Sequence, residues 1–129
     1  MSVRNRIPED LVLHGDPNLL RVVYDNLLSN AVRYGREEGD IVLGAQQSAD
    51  EVVLTVRNEG EGIPPEKMAM LFRKFSRLDS SEHAGKRGTG LGLYICREIV
   101  EKHGGEMWAE SQVGKWAEFV FTVPRQAKT

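Results

Sequence analysis

The sequence has few of the residues that mark secreted, membrane-spanning or nucleic-acid-binding proteins. A single cysteine, Cys96, cannot form a disulfide within the chain, so we expect a reducing, cytoplasmic setting. No apolar run approaches the length of a membrane span and the N-terminus has no signal-type pattern, so direct membrane contact is not expected. The formal net charge of -2 provides no positive field, which argues against a nucleic-acid partner.

Several familiar binding and catalytic motifs are also missing. The glycine run from Gly88 to Gly92 lacks the Lys-Ser/Thr that ends a P-loop, and no βαβ unit surrounds it as a dinucleotide site requires. The sequence has no Cys/His cluster for zinc, no Ser-His-Asp arrangement in a credible context and no internal repeat. Its 129 residues, 40% of them hydrophobic, suit one globular domain with a real core.

Hydrophobic periodicity predicts helices alternating with strands. Asp16 or Asn18 should cap a first helix, on which Leu20, Val23, Leu27 and Ala31 form an apolar stripe. Strands are predicted at residues 11–13, 41–45, 52–56, 107–111 and 117–123, a short helix from Pro64 through Leu71, and a third helix from Leu91 or Gly92 to Gly104, with Ile95, Cys96, Ile99, Val100 and His103 on one face. Residues 76–90 show almost no apolar periodicity and are predicted to be a loop.

The order of these elements predicts an α/β two-layer sandwich. A mixed, mostly antiparallel sheet of about five strands should be covered on one face by about three helices. We expect residues 1–9 to be a tether from an upstream segment, residues 10–125 to be the domain and residues 126–129 to be a tail. Cys96 falls on the third helix and is expected to be a buried structural thiol.

A polar row lies on the first predicted helix. Asn26, Asn30, Arg33 and Tyr34 are spaced 4, 3 and 1 apart, which places them within roughly a third of the helix circumference. The row lies beside the apolar stripe and would wall a cleft, where neutral amide oxygens suit a Mg²⁺ ion that also binds phosphate. The alternative is a pair of solvated asparagines on a surface helix.

Two glycine-containing motifs follow in the chain. The stretch from Asn58 to Ile63, Asn-Glu-Gly-Glu-Gly-Ile, is a strand-to-helix turn in which glycines allow close backbone approach. The stretch from Gly88 to Leu93, Gly-Thr-Gly-Leu-Gly-Leu, supplies consecutive N–H donors ahead of a helix N-terminus, which is an arrangement that attracts phosphate. Each motif alone could be an ordinary turn or hinge.

Taken together, in this order and with Phe72-Arg73-Lys74-Phe75 between the last two, the motifs resemble the ATP-binding catalytic domain of sensor histidine kinases. That domain belongs to a superfamily with type II topoisomerases, MutL-type repair proteins and one class of heat-shock chaperone. The resemblance runs from Leu11 to Pro124. It implies a Bergerat-type fold that binds ATP with Mg²⁺ and donates the γ-phosphoryl group to a histidine on a separate dimerisation domain.

The resemblance also implies roles for individual residues. Asn30 would bind Mg²⁺ and Asn26 would contact the phosphates or metal-bound water. Arg33 and Tyr34 would flank the phosphates, and Asn58 would accept a hydrogen bond from the adenine amino group. The remaining ATP-binding residues implied are Gly60, Gly62, Ile63, Phe72, Phe75, Lys86, Arg87, Gly88, Thr89, Gly90, Leu91, Gly92 and Leu93, with Lys86 and Arg87 directed at the γ-phosphate.

Two positions depart from patterns in the superfamily. Its ATP-hydrolysing branches carry a glutamate where Asn26 stands, and an amide cannot take a proton from water at neutral pH. This favours phosphoryl transfer over hydrolysis. Histidine kinases usually have aspartate where Asn58 stands; asparagine keeps one acceptor for the adenine amino group but loses the charge.

The phosphoaccepting histidine of such kinases has no counterpart here. His14, His83 and His103 all lack the acidic and Arg-Thr-Pro-Leu-like surroundings of that residue. We therefore assign no catalytic residue and expect a monomeric catalytic domain of a longer kinase, with the dimerisation domain and a response regulator as partners. The alternatives are a serine kinase of the anti-sigma-factor type, a non-catalytic nucleotide sensor or scaffold, and a small ATPase.

Overall fold

The computed structural model describes residues 2–73 and 92–125, apart from the side chains of Arg33 and Tyr34. Within these ranges five strands form one sheet in the order β1-β2-β3-β5-β4, in which β1 and β2 are parallel and the other neighbours antiparallel. The elements are β1 (Ser2–Asn5), α1 (Pro17–Tyr34), β2 (Asp40–Gln47), β3 (Glu51–Glu59), α2 (Pro65–Met68), α3 (Gly92–Lys102), β4 (Met107–Gln112) and β5 (Trp116–Pro124). The predicted mixed, mostly antiparallel sandwich is confirmed.

Helix α1 begins at the cap that its sequence predicts. The Asp16 carboxylate accepts hydrogen bonds from the backbone N–H groups of Asn18 at 2.9 Å and Leu19 at 3.2 Å, and Pro17 occupies the first turn. The predicted apolar stripe is buried: Leu20 is 7% exposed, and Val23, Leu27 and Ala31 are fully enclosed. This stripe packs α1 against α3 and β3.

The core lies between the helices and one face of the sheet. Val52, Leu54 and Val56 alternate along β3 with more exposed residues and are almost completely buried. Opposite them on β5 lie Val123, Phe121 and Phe119, in register. Each large side chain buried in this way contributes about 1.5–3 kcal/mol to the free energy of unfolding, so these paired rows fix the register of the two central strands.

The N-terminal region differs from the expected arrangement. Residues 11–13 do not form a strand: Leu11 N–H bonds to the Pro8 carbonyl in a turn, and Leu11 and Leu13 pack against the core. The edge strand is instead β1, from within the segment expected to be a tether. Its pairing with β2 includes an ion pair of 3.2 Å between Arg4 and Asp40.

Two helix details also differ. Ile95, predicted to lie on one face of α3 with Cys96, Ile99 and Val100, is 39% exposed; the buried stripe consists of Leu93, Cys96, Ile99 and Val100, and Ile95 lies at its edge. Helix α2 ends at Met68, before Leu71, which is buried within the following turn. Gly104, with φ of 86°, lies just beyond the end of α3, as predicted for a helix stop.

Candidate functional site

The amides of Asn26 and Asn30 are oriented by their own helix. Each side-chain nitrogen donates to the carbonyl four residues earlier at 2.9 Å, Asn26 to Val22 and Asn30 to Asn26. With the nitrogens held against the backbone, the two amide oxygens are the atoms left to accept or coordinate. Asn30 is only 9% exposed, which contradicts the alternative of two solvated surface asparagines.

The first and third motifs meet at the start of α3. A Cβ atom placed on Gly92 would lie 2.8 Å from the Asn26 amide oxygen. Any larger residue at position 92 would therefore displace the Asn26 side chain. The structure thus places Asn26 of the polar row beside the first residue of α3, where the helix dipole favours anionic groups.

Asn58 is the most unusual polar residue in the site. It follows Val52, Leu54 and Val56 on the buried face of β3 and is 1% exposed. Among the described residues neither its Oδ1 nor its Nδ2 has a hydrogen-bond partner. A buried polar group left unpaired costs about 1–3 kcal/mol, so an enclosed amide with no partner among the described residues is a candidate for contact with a ligand. Its acceptor and donor suit the edge of a purine base.

The turn after Asn58 is fixed against the β4–β5 hairpin. Gly60 N–H donates to the Lys115 carbonyl at 3.1 Å, and Gly114 N–H donates to the Glu61 carbonyl at 2.7 Å. Gly62 has φ of 73°, and a Cβ on it would meet the Gln112 carbonyl oxygen at 2.7 Å. Ile63, 4% exposed, extends the same buried surface, so the turn is held by backbone contacts on one side and core packing on the other.

Ser111 is a site-positioning residue that sequence reasoning missed. Its hydroxyl accepts from the Ile63 N–H at 2.6 Å and donates to the Trp116 carbonyl at 3.0 Å. It therefore joins the turn to both strands of the hairpin. The signal was present in the alternation of β4, which puts Met107, Ala109 and Ser111 on the core-facing side, where a hydroxyl needs partners.

Replacing Ser111 with alanine should loosen this turn. Ser111→Ala leaves the Ile63 N–H without its acceptor, so we expect about 1–3 kcal/mol less unfolding free energy in urea titrations. ATP affinity should fall at the same time, because the turn adjoins Asn58. Ser111→Thr, which keeps the hydroxyl, is the matched control and should retain most of both. If Ser111→Ala bound ATP as tightly as the wild-type chain, Ser111 would not position the site.

The other predicted site residues fall into two groups. Phe72 is half-buried against the core, beneath the Arg97 guanidinium at 5.3 Å from the ring centroid, and Leu93 is a core residue at 8% exposure. The second group lies outside the described residues. It comprises the side chains of Arg33 and Tyr34, the loop predicted at 76–90, and the site residues Phe75, Lys86, Arg87, Gly88, Thr89, Gly90 and Leu91.

The histidine and cysteine side chains that the structure describes in its core have structural roles. His103 accepts the Asp16 N–H at Nε2, at 2.9 Å, and its Nδ1 lies 2.8 Å from the Ile99 carbonyl oxygen. Both ring nitrogens are thus engaged where α1 and α3 meet. Cys96 is fully buried and burial raises its pKa to about 12, so the predicted structural thiol is confirmed.

Comparison with known proteins identifies the family. Residues 15–127 match the family model described as histidine kinase-, DNA gyrase B- and HSP90-like ATPase. The chain belongs to this family. It is 38% identical over 126 residues to the circadian input-output histidine kinase CikA of Synechococcus elongatus, covering 98% of this chain but 16% of CikA. The chain therefore spans less than a fifth of that relative.

Solved structures of this ATPase family share the fold. The catalytic domain of histidine kinase ThkA, free of nucleotide, superposes with a TM-score of 0.79 at 32% identity, over 96% of this chain and 77% of ThkA's. Full-length ShkA in complex with AMPPNP superposes with a TM-score of 0.83 at 27% identity, over 99% of this chain and 26% of ShkA's. ATP binding by this domain is therefore supported by both fold and sequence.

The described part of the chain has neither a cluster of acidic, cysteine or histidine metal ligands nor a membrane-spanning helix. Residues 2–73 and 92–125 contain no group of three or more His, Cys, Asp or Glu side chains that could hold a metal. Within the same ranges, none of the helices is both long enough and apolar enough to cross a membrane.

Proposed function

We propose that this domain is the catalytic module of a two-component sensor histidine kinase, transferring the γ-phosphoryl group of Mg–ATP to a histidine on a dimerisation domain outside these residues. The observation that carries the proposal is Asn58, a buried amide with both polar atoms unpaired in the described structure, at the position that the resemblance assigns to adenine. The nucleotide complex of ShkA and the histidine kinase relatives support the same function.

The residues present fit a magnesium ion as well as a nucleotide. The amide oxygens of Asn30 and Asn26, left free by the hydrogen bonds of their nitrogens, are hard neutral ligands. Asn30 would hold the ion, and Asn26 would face the phosphates or their bound water near Gly92. When bound, Mg²⁺ would offset the negative charge that the phosphates bring together.

Position 26 does not offer a base for activating water. Asn26 occupies the position one turn before Asn30, and a carboxamide there cannot accept a proton at neutral pH. The pocket would then hold ATP until a nucleophile arrives from another domain. A response regulator is the expected later recipient of the phosphoryl group, and the site of action is expected to be the cytoplasm, where ATP and a reducing environment coincide.

A chimera tests the proposed transfer. The isolated chain should not label itself from γ-labelled ATP, because His103 is engaged at both ring nitrogens and no histidine has an acceptor context. Placed in CikA instead of the segment it matches, the chain should support acid-labile histidine labelling. Asn30→Ala in the same chimera is the control and should remove it. Acid-labile label on the isolated chain, or acid-stable label in the chimera, would overturn the assignment.

Asn58 should set both the strength and the selectivity of base binding. Its amide can rotate to accept from the adenine amino group or donate to the guanine carbonyl, whereas a carboxylate accepts only. Asn58→Asp should therefore tighten ATP binding by roughly tenfold, about 1–2 kcal/mol, and widen the preference for ATP over GTP. Competition binding with both nucleotides measures this. If neither quantity changes, Asn58 does not contact the base.

A further inference from the structure

A cationic cleft lies on the open face of the sheet, away from the helices and the candidate nucleotide site. Neighbouring residues of β3 face opposite ways: Asn58 is buried beneath the helices, whereas Arg57 and Glu59 lie on the open side. The cleft has a volume of about 540 Å³ and is bounded by β1, β2, β3, the start of β5 and the turns beside them. It shares backbone atoms of Gly114, Lys115 and Trp116 with the contacts that hold the turn after Asn58, but its charged side chains have no role in the nucleotide site described above.

The cleft concentrates positive charge on a domain that is acidic overall. Its lining carries five cations, Arg4, Arg6, Arg36, Arg57 and Lys115, but only two carboxylates. Both carboxylates are already paired, Asp40 with Arg4 at 3.2 Å and Glu59 with Arg36 at 3.3 Å. The cleft therefore has a surplus of three positive charges, whereas the whole chain has a net charge of -2.

Arg57 is arranged to receive a carboxylate. Its guanidinium carbon lies 4.1 Å from the centroid of the Trp116 ring, and this stacking holds the guanidinium while leaving its edge N–H groups free to donate. Glu118 lies opposite Arg57 on β5, and burial raises its pKa, with Arg57 acting in the opposite direction. Glu118 is a neighbour of the cleft but is not among its lining residues.

We propose that this cleft docks an acidic polypeptide segment from outside the domain. Carboxylates of the segment pair with Arg6, Arg57 and Lys115, and its apolar side chains lie on Trp116 and Val42. The surplus cations are spread over three parts of the fold, beyond β1, on β3 and in the β4–β5 turn, which suits charges spaced along a chain. A compact polyphosphate would gain nothing from contact with the apolar side chains of Trp116 and Val42.

A short labelled peptide tests the proposal. A fluorescein-labelled hexapeptide, Glu-Leu-Glu-Glu-Leu-Glu, should bind the wild-type chain in fluorescence anisotropy at low salt. The double variant Arg57→Gln/Lys115→Gln should weaken binding by about tenfold or more. Arg21→Gln/Lys102→Gln makes the same change in net charge on exposed positions of the helices and should bind like wild type. Equal weakening by both pairs would mean nonspecific attraction and would overturn the docking site.

Three further measurements separate this site from others. Arg6→Gln/Lys115→Gln, which leaves the Arg57–Trp116 stack in place, should also weaken binding of the peptide. An unchanged circular dichroism spectrum would confirm that each variant folds. Saturating Mg–AMPPNP should not displace the peptide, and displacement would place the peptide in the nucleotide pocket. Two results together would make the cleft a phosphate site instead. Inorganic pyrophosphate would compete at a lower concentration than the peptide itself, and replacing the leucines of the peptide with serine would not weaken its binding.

Discussion

Asn30→Ala should abolish the enhancement of ATP binding by Mg²⁺ and leave the fold intact. Asn30 is a nearly buried amide on α1 whose nitrogen is held by the Asn26 carbonyl, so its oxygen is the atom proposed to bind the metal. Alanine is a better helix former than asparagine and removes only one side-chain hydrogen bond, so α1 should persist. The loss should therefore appear in the metal dependence of binding.

Calorimetric titration of ATP with and without Mg²⁺ measures this effect. Ser29→Ala, at the exposed neighbouring position of α1, is the control and should keep the full metal enhancement. Affinity in the absence of metal should differ little between the two variants. A metal enhancement that survives in Asn30→Ala would show that the magnesium ligand is another residue.

Gly62→Ala should damage both stability and nucleotide binding. The backbone at Gly62 has φ of 73°, a left-handed conformation that costs a residue with a Cβ about 1–2 kcal/mol. The added methyl group would also meet the Gln112 carbonyl oxygen and the Ser111 hydroxyl, both at 2.7 Å. To relieve these contacts the turn must move away from the hairpin. Because Ile63 and Asn58 adjoin that turn, nucleotide binding should weaken as well.

Gly114→Ala is the matched control for Gly62→Ala. Gly114 has φ of 84°, so it carries a similar conformational cost, but a Cβ there meets nothing within 4 Å. We expect Gly114→Ala to lower the melting temperature by roughly 4–8 °C with unchanged ATP affinity. Gly62→Ala should lower it by about twice as much and weaken ATP binding at least tenfold. Equal effects of the two substitutions would mean that contact with the hairpin does not position the site.

The elements that follow local rules were predictable from the sequence. The Asp16 cap, the apolar stripe of α1 and the alternation in β3 and β5 all appear in the structure as expected. Each depends on periodicity or on hydrogen bonds between residues close in the chain. The expectation that Asn26, Gly92 and Asn58 share one site came from the resemblance of three motifs to a family, not from any single pattern, and the structure shows the approach of Asn26 to Gly92.

What could not be predicted depends on contacts between distant residues. Ser2–Asn5 is a strand only because β2 offers an edge in parallel register, and nothing local distinguishes it from residues 11–13. Ser111 gains its role from Ile63, 48 positions away in the chain. Trp116 on β5 lies beneath Arg57 of the neighbouring strand β3. Pair interactions of this kind become visible only once the topology is known.

The alternation of side chains along β3 links the two faces of the domain. Asn58 faces the helices while Arg57 and Glu59 face outward, so a substitution on one face need not affect the other face. Insertions and deletions are not, because adding one residue within β3 would reverse every side chain beyond it. Arg57 would then enter the core and Asn58 would reach solvent. Among descendants of this sequence, the length of β3 should be preserved more strictly than its composition.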